Sequence, residues 1–101
     1  MNKRQQLQLV KALSKVTTEG EKYNTTTGKH EPATLMPTLY LDRDHSNQVV
    51  LSAEDGGYFA DYYGEFRGGY PWIHPDVEAA AEKLGFYWEW ENAGALIAYE
   101  A

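Results

Sequence analysis

The chain contains no cysteine. That excludes a disulfide framework, a thiolate zinc site, an iron–sulfur cluster and a cysteine nucleophile. It has no apolar run approaching 18 residues, so the sequence offers no membrane-spanning helix. It lacks a G-x-S-x-G elbow, a G-x-G-x-x-G turn and a phosphate loop with its lysine. Its histidines, His30, His45 and His74, are too far apart to match a metal-ligand spacing. Asp42-x-Asp44-x-Ser46 starts like a calcium loop, but it lacks the glycine and has Ala53 where the bidentate glutamate belongs. A hairpin turn rich in Asx chemistry accounts for it. No cofactor and no catalytic constellation is expected. Carboxylate pairs such as Asp61 with Glu65 carry little signal in a chain with 15 acids.

Cations are scarce, and they are unevenly placed. The 101 residues hold 9 Lys and Arg against 15 Asp and Glu, a net charge of -6. Residues 1–50 carry seven cations and five acids; residues 51–101 carry two cations, Arg67 and Lys83, and ten acids. Twelve of the aromatic residues also lie after residue 50. The C-terminal half therefore supplies both the core-forming rings and the acidic surface, which implies a polarised electrostatic field.

The pattern predicts an α+β domain spanning 1–101, with a mostly antiparallel sheet and two helices in the order α-β-β-(β)-α-β-β. A first helix over 4–16 places Leu9, Ala12, Leu13 and Val16 on one face and Arg4, Lys11 and Lys15 on another. Cations at its start oppose the helix dipole, so its first turn is expected to fray. Residues 17–37 show no sustained period and read as a flexible loop, with an irregular strand around Lys22-Tyr23. Asn24-Thr25-Thr26 is a glycosylation sequon, without meaning in the cytoplasm.

A hairpin over 38–42 and 48–51 follows, turning at 44–47, and a second turn is expected at Asp55-Gly56-Gly57. Residues 58–66 fit a helix or a strand, and strand is preferred because Gly64 weakens a helix. Pro75 opens the second helix, with Val77, Ala80, Ala81 and Leu84 as its buried stripe and Gly85 as its left-handed stop. Phe86, Trp88 and Trp90 then alternate with Tyr87, Glu89 and Glu91, giving one aromatic and one acidic strand face. The last strand, 95–99, carries Ile97 and Tyr99 on one face.

The functional signal is the mixture of acids and aromatics. Glu54, Asp55, Asp61 and Glu65 interleave with Tyr58, Tyr62 and Tyr63, and Glu89 and Glu91 share a face with Tyr87. Tyrosine is favoured at protein interfaces, and spaced carboxylates imitate the phosphates that DNA-handling proteins neutralise. Asp61, Glu65, Glu89 and Glu91 are expected to face solvent. These residues together define a partner-binding surface for a basic protein, consistent with a cytoplasmic inhibitor or DNA mimic that is not an enzyme.

Two other function classes compete. One is a nucleic-acid module using the stripe Arg4, Lys11 and Lys15; the acidity of the aromatic half opposes it, so direct nucleic-acid binding is not expected. The same stripe lying against another chain's acids would support a homodimer. The other is a small enzyme or carbohydrate binder using Trp72 and nearby carboxylates. Neither a membrane nor a metal is expected as a partner.

The runs Gly69-Tyr70-Pro71-Trp72-Ile73-His74-Pro75, Ala79 to Gly85, and Tyr87-Trp88-Glu89-Trp90-Glu91-Asn92-Ala93-Gly94 resemble short acidic proteins carried by phages and plasmids. The resemblance covers about the last third of the chain. It implies an accessory protein that binds and blocks a host defence protein, and it brings no site motif from which a residue role follows.

Overall fold

The computed structural model describes residues 1–42, 48–54, 57–64 and 71–101. The elements are α1 (Lys3–Leu13), β1 (Thr18–Asn24), β2 (Lys29–Leu35), β3 (Leu39–Asp42), β4 (Gln48–Ser52), β5 (Ala60–Asp61), β6 (Trp72–Ile73), α2 (Pro75–Lys83), β7 (Phe86–Asn92) and β8 (Ala95–Glu100). The fold is α+β with antiparallel sheet, as the sequence pattern predicts.

The central sheet has strand order β3-β4-β8-β7, every neighbour antiparallel. Both helices lie on one face of it. Leu9, Leu13 and Val16 from the α1 segment and Val77 and Ala81 from α2 pack with Val49, Leu51, Leu96, Ala98 and Phe86 of the sheet. Phe59, fully buried, and Ala60 complete this core. Trp88 joins it, and its indole N–H donates to the Val77 carbonyl at 3.3 Å. Aromatic alternation along β7 thus does what its period requires. The expected stripe of α2 holds at Val77 and Ala81, but Leu84 is 38% exposed. Leu84 is the C-cap, where the helix has already unwound, so its side chain leaves the buried face. Gly85 follows with φ +84°, the left-handed conformation that turns the chain from α2 into β7.

The first helix is shorter than its periodicity suggests. Ser14 caps it, with Oγ donating to the Lys11 carbonyl at 2.8 Å, and Lys15 and Val16 close a tighter turn onto Ala12 and Leu13. Its start is closed by a reciprocal capping box. The Asn2 side chain accepts from Gln5 N–H and the Gln5 side chain accepts from Asn2 N–H, each at 2.8 Å. Those two bonds satisfy donors that the cations alone would leave bare, so the expected fraying is countered locally.

Residues 17–37 are more regular than the expected flexible loop, and the strand expected around Lys22-Tyr23 lies within β1. They form the hairpin β1–β2 in continuous register from Thr18↔Leu35 to Asn24↔Lys29. No residue of either strand is buried, which is why no hydrophobic alternation marks them. The turn is held by Asn24, whose Oδ1 accepts from Thr26 and Thr27 N–H. At the hairpin root, Gly20 lies so close to Leu35 and Tyr58 that a Cβ would stand 2.5 Å from one and 2.7 Å from the other. The expected strand over 58–66 reduces to Ala60–Asp61 within the described residues, paired with Trp72–Ile73. The expected turn at 44–47, Asp55-Gly56, Glu65-Phe66 and the closing Gly68-Gly69 lie outside the described residues.

Burial ranks two aromatic truncations. Phe59→Ala is expected to cost about 3–5 kcal/mol, and Trp88→Ala less, because Trp88 is only half-buried. Urea denaturation of both variants checks this; a larger loss at Trp88 would contradict the core assignment.

Candidate interaction edge

Among the described residues strand β7 is an edge of the sheet, and acids collect around it. Because Phe86, Trp88 and Trp90 turn toward the helices, Tyr87 and Glu89 project from the reverse face and are exposed; Glu91, also exposed, is the extra residue where the register with β8 shifts between Trp90 and Asn92. Tyr87 is 42% exposed, and its ring stands 6.0 Å from that of Tyr99 on β8. On the helix side, Glu78 and Glu82 line a groove of about 220 Å³ with Ile73, Phe86, Tyr87 and Trp88. β7 contains no Lys or Arg, and among the described residues neither does the lining of that groove. Lys83 instead lines the cleft between the two helices, with Lys15 and Asp76.

The Trp90 end of the strand gathers further residues singled out from the sequence. Tyr62 meets Trp90 edge-on at 5.2 Å and Tyr63 at 5.1 Å, and Tyr63 is 61% exposed. Exposed Glu54 lies over Gly94 in the turn after β7, close enough that a Cβ there would stand 2.6 Å from its Oε1. Glu54, Tyr62, Tyr63, Tyr87, Glu89 and Glu91 therefore belong to one region, along β7 and at its end.

Two expected site residues do not present themselves this way. Asp61 is 6% exposed, buried in β5 and engaged by neighbours rather than facing solvent. The acid–tyrosine alternation that suggested a surface instead places Asp61 opposite half-buried Trp72, inside the packed side of the short β5–β6 ladder. Tyr58 is half-buried and works within the fold: its hydroxyl accepts from Glu21 N–H at 3.3 Å, and its ring docks the hairpin at Gly20. Asp55 and Glu65 lie outside the described residues.

Sequence reasoning missed Glu78 and Glu82 as part of this edge. Their signal was present, since a four-residue separation puts both on one helix face directly before the acidic strand.

The remaining candidates are more dispersed. Trp72 is half-buried beside His74, ring centroids 5.8 Å apart, and His74 Nδ1 accepts from Asp76 N–H at 3.1 Å to cap α2. Arg4, Lys11 and Lys15 are exposed. Among the described residues, no three His, Cys, Asp or Glu side chains converge on a common point. No helix among them is long and apolar enough to cross a membrane.

Asp61→Ala should destabilise the fold by about 1–3 kcal/mol, as for removal of a buried polar partner. Glu89→Ala, at an exposed position, should stay within about 0.5 kcal/mol of the parent. Equal denaturation midpoints for the two variants would contradict the burial of Asp61.

No family model, curated protein or solved structure matches the chain.

Proposed function

We propose that the chain is a non-catalytic interaction protein whose acidic, tyrosine-bearing β7 edge binds a basic protein. We further propose that this partner is a nucleic-acid-handling protein, which the chain occupies in place of DNA. One observation carries the reading: Glu54, Glu78, Glu82, Glu89 and Glu91, all exposed, border a single strand that has no cation of its own. Glu89 and Glu91 lie two residues apart at the end of the strand where its register with β8 shifts. A cationic groove meets them as a row of negative charge. Tyr63 and Tyr87 add ring surface at both ends of the row, the composition that protein interfaces favour. Like charges gathered in this way repel one another, and a surface without a use for them would intersperse lysines.

Charge of this kind acts mainly on the rate of encounter. Glu89→Gln with Glu91→Gln should leave stability nearly unchanged, because exposed carboxylates contribute little to it. The double variant should associate several-fold more slowly with a basic DNA-binding protein at low salt and show a flatter salt dependence. Presaturating that protein with duplex DNA should block binding of the parent chain. Equal on-rates for parent and variant at two ionic strengths would remove the β7 edge from the site. The chain itself is expected to show no binding to duplex or single-stranded DNA at physiological salt. A salt-sensitive DNA complex abolished by neutralising Arg4, Lys11 and Lys15 would replace this function with the nucleic-acid one.

A further inference from the structure

The opposite edge of the sheet is the chemical complement of β7. Strand β3 pairs with β4 on one side only among the described residues. Ser52 N–H donates to the Thr38 carbonyl at 2.9 Å, which makes 38/52 a hydrogen-bonded pair. Antiparallel pairs alternate, so Tyr40 also turns its backbone groups toward β4, while Leu39 and Leu41 turn theirs outward. No described residue supplies hydrogen bonds to those outward groups. Beside them runs a groove of about 380 Å³ between α1 and β3, lined by Lys3, Gln6, Leu7, Val10, Leu39, Tyr40 and Leu41. Leu7 is 64% exposed and Leu41 46%. The helix flanking this edge carries Lys3, Arg4 and Lys11 and no acid.

We infer that the β7 edge of a second copy of this chain docks on β3, extending the sheet head to tail. The inference rests on the reading of β7 as the binding edge and names its occupant. Ala101 N–H donates to the Gly85 carbonyl, so along β7 it is Phe86, Trp88 and Trp90 whose backbone groups point outward. Three antiparallel steps separate β3 from β7, so a second copy in the same orientation brings its β7 in antiparallel to β3, with all helices on one face. One register then matches the side chains of β3 from Thr38 to Asp42. Leu39 stands opposite Trp88 of the second copy and Leu41 opposite its Phe86, apolar against apolar on the helix side. Tyr40 stands opposite Tyr87 of the second copy on the reverse face, and Thr38 opposite its Glu89. Asp42 meets Gly85 of the second copy and so avoids its acids.

Charge selects this occupant over the symmetric alternatives. A two-fold β3–β3 pair would bring two cationic α1 helices together, and a β7–β7 pair would bring together Glu78, Glu82, Glu89 and Glu91 of both copies. Only β3 against β7 sets Lys3 and its neighbours beside Glu78 and Glu82. Such a heterologous contact does not close on itself, so the product is an open series rather than a dimer.

Sedimentation of the full chain as a function of concentration, up to about 1 mM, tests this. At low salt the mean mass should rise past twice that of a single chain, and it should fall back at about 0.5 M salt, where screening is short-ranged. Leu41→Pro removes one outward N–H without touching the β3–β4 ladder. That variant should remain single, yet added to the parent it should shorten the series, because its β7 edge still caps a growing end. Lys3→Glu, an exposed change that the helix start accepts, should weaken association several-fold, and Lys3→Glu combined with Glu78→Lys and Glu82→Lys should restore it. A chain that stays single at every concentration overturns the inference, as does a mass that stops at two copies with no capping by Leu41→Pro. A failure here is separable from a failure of the proposed function. Leu41→Pro keeps β7 free, so its association with a basic DNA-binding protein tests the acidic edge without self-association.

Discussion

The structure depends on covering one face of a four-stranded antiparallel sheet with two short helices. Leu9 and Leu13 from α1 and Val77 and Ala81 from α2 close over Val49, Leu51, Leu96 and Ala98. Each fully buried leucine or valine of this set contributes about 1.5–3 kcal/mol relative to exposure. The central strands β4 and β8 carry most of that burial and are paired on both sides. Among the described residues, the outer strands β3 and β7 are left with one row of unpaired backbone groups each. Unprotected edges invite pairing with another chain, and natural proteins usually blunt them.

The helices decide what each edge looks like. α1 lies against β4 and flanks β3, bringing only cations; α2 lies against β7 and presents Glu78 and Glu82 to its groove. The charge asymmetry between the halves of the sequence thus becomes an asymmetry between the two sides of one sheet. The docked hairpin β1–β2 stands apart from this arrangement. It is joined to the core mainly through Tyr58 and Leu35 at Gly20. The molecule is elongated, with extents of 43, 28 and 25 Å.

What the sequence reveals depends on burial. The second helix, its stop at Gly85 and the β7–β8 pair are legible, because each has an apolar period tied to a turn residue. The hairpin over 18–35 is not, because its exposed strands hold together through ladder hydrogen bonds and turn chemistry, which leave no hydrophobic period. Thr-rich composition and the Asn24 turn were its only signals. At the candidate edge, alternation accounts for the exposure of Tyr87 and Glu89, while Glu91 is exposed at a register shift that alternation does not foresee. The same reasoning fails at Asp61 and Tyr58, where a two-residue strand and a docking contact, both made by residues distant in sequence, decide burial. The apolar groove at β3 also escaped notice. Leu7 and Val10 sit beside the core stripe of α1, and only the strand order shows that nothing described covers them.

Among the described residues both edges of the sheet are open in the single chain, and amide hydrogen exchange reads this directly. In dilute solution, the outward amides of Leu39, Leu41, Phe86 and Trp88 should exchange rapidly. The inward amides of Tyr40, Tyr87 and Glu89, one residue away on the same strands, should be protected by their ladders. That two-residue alternation of fast and slow exchange is the expected result. Uniform protection along β3 and β7 in the dilute chain would mean that the edges are already covered, and would contradict the account.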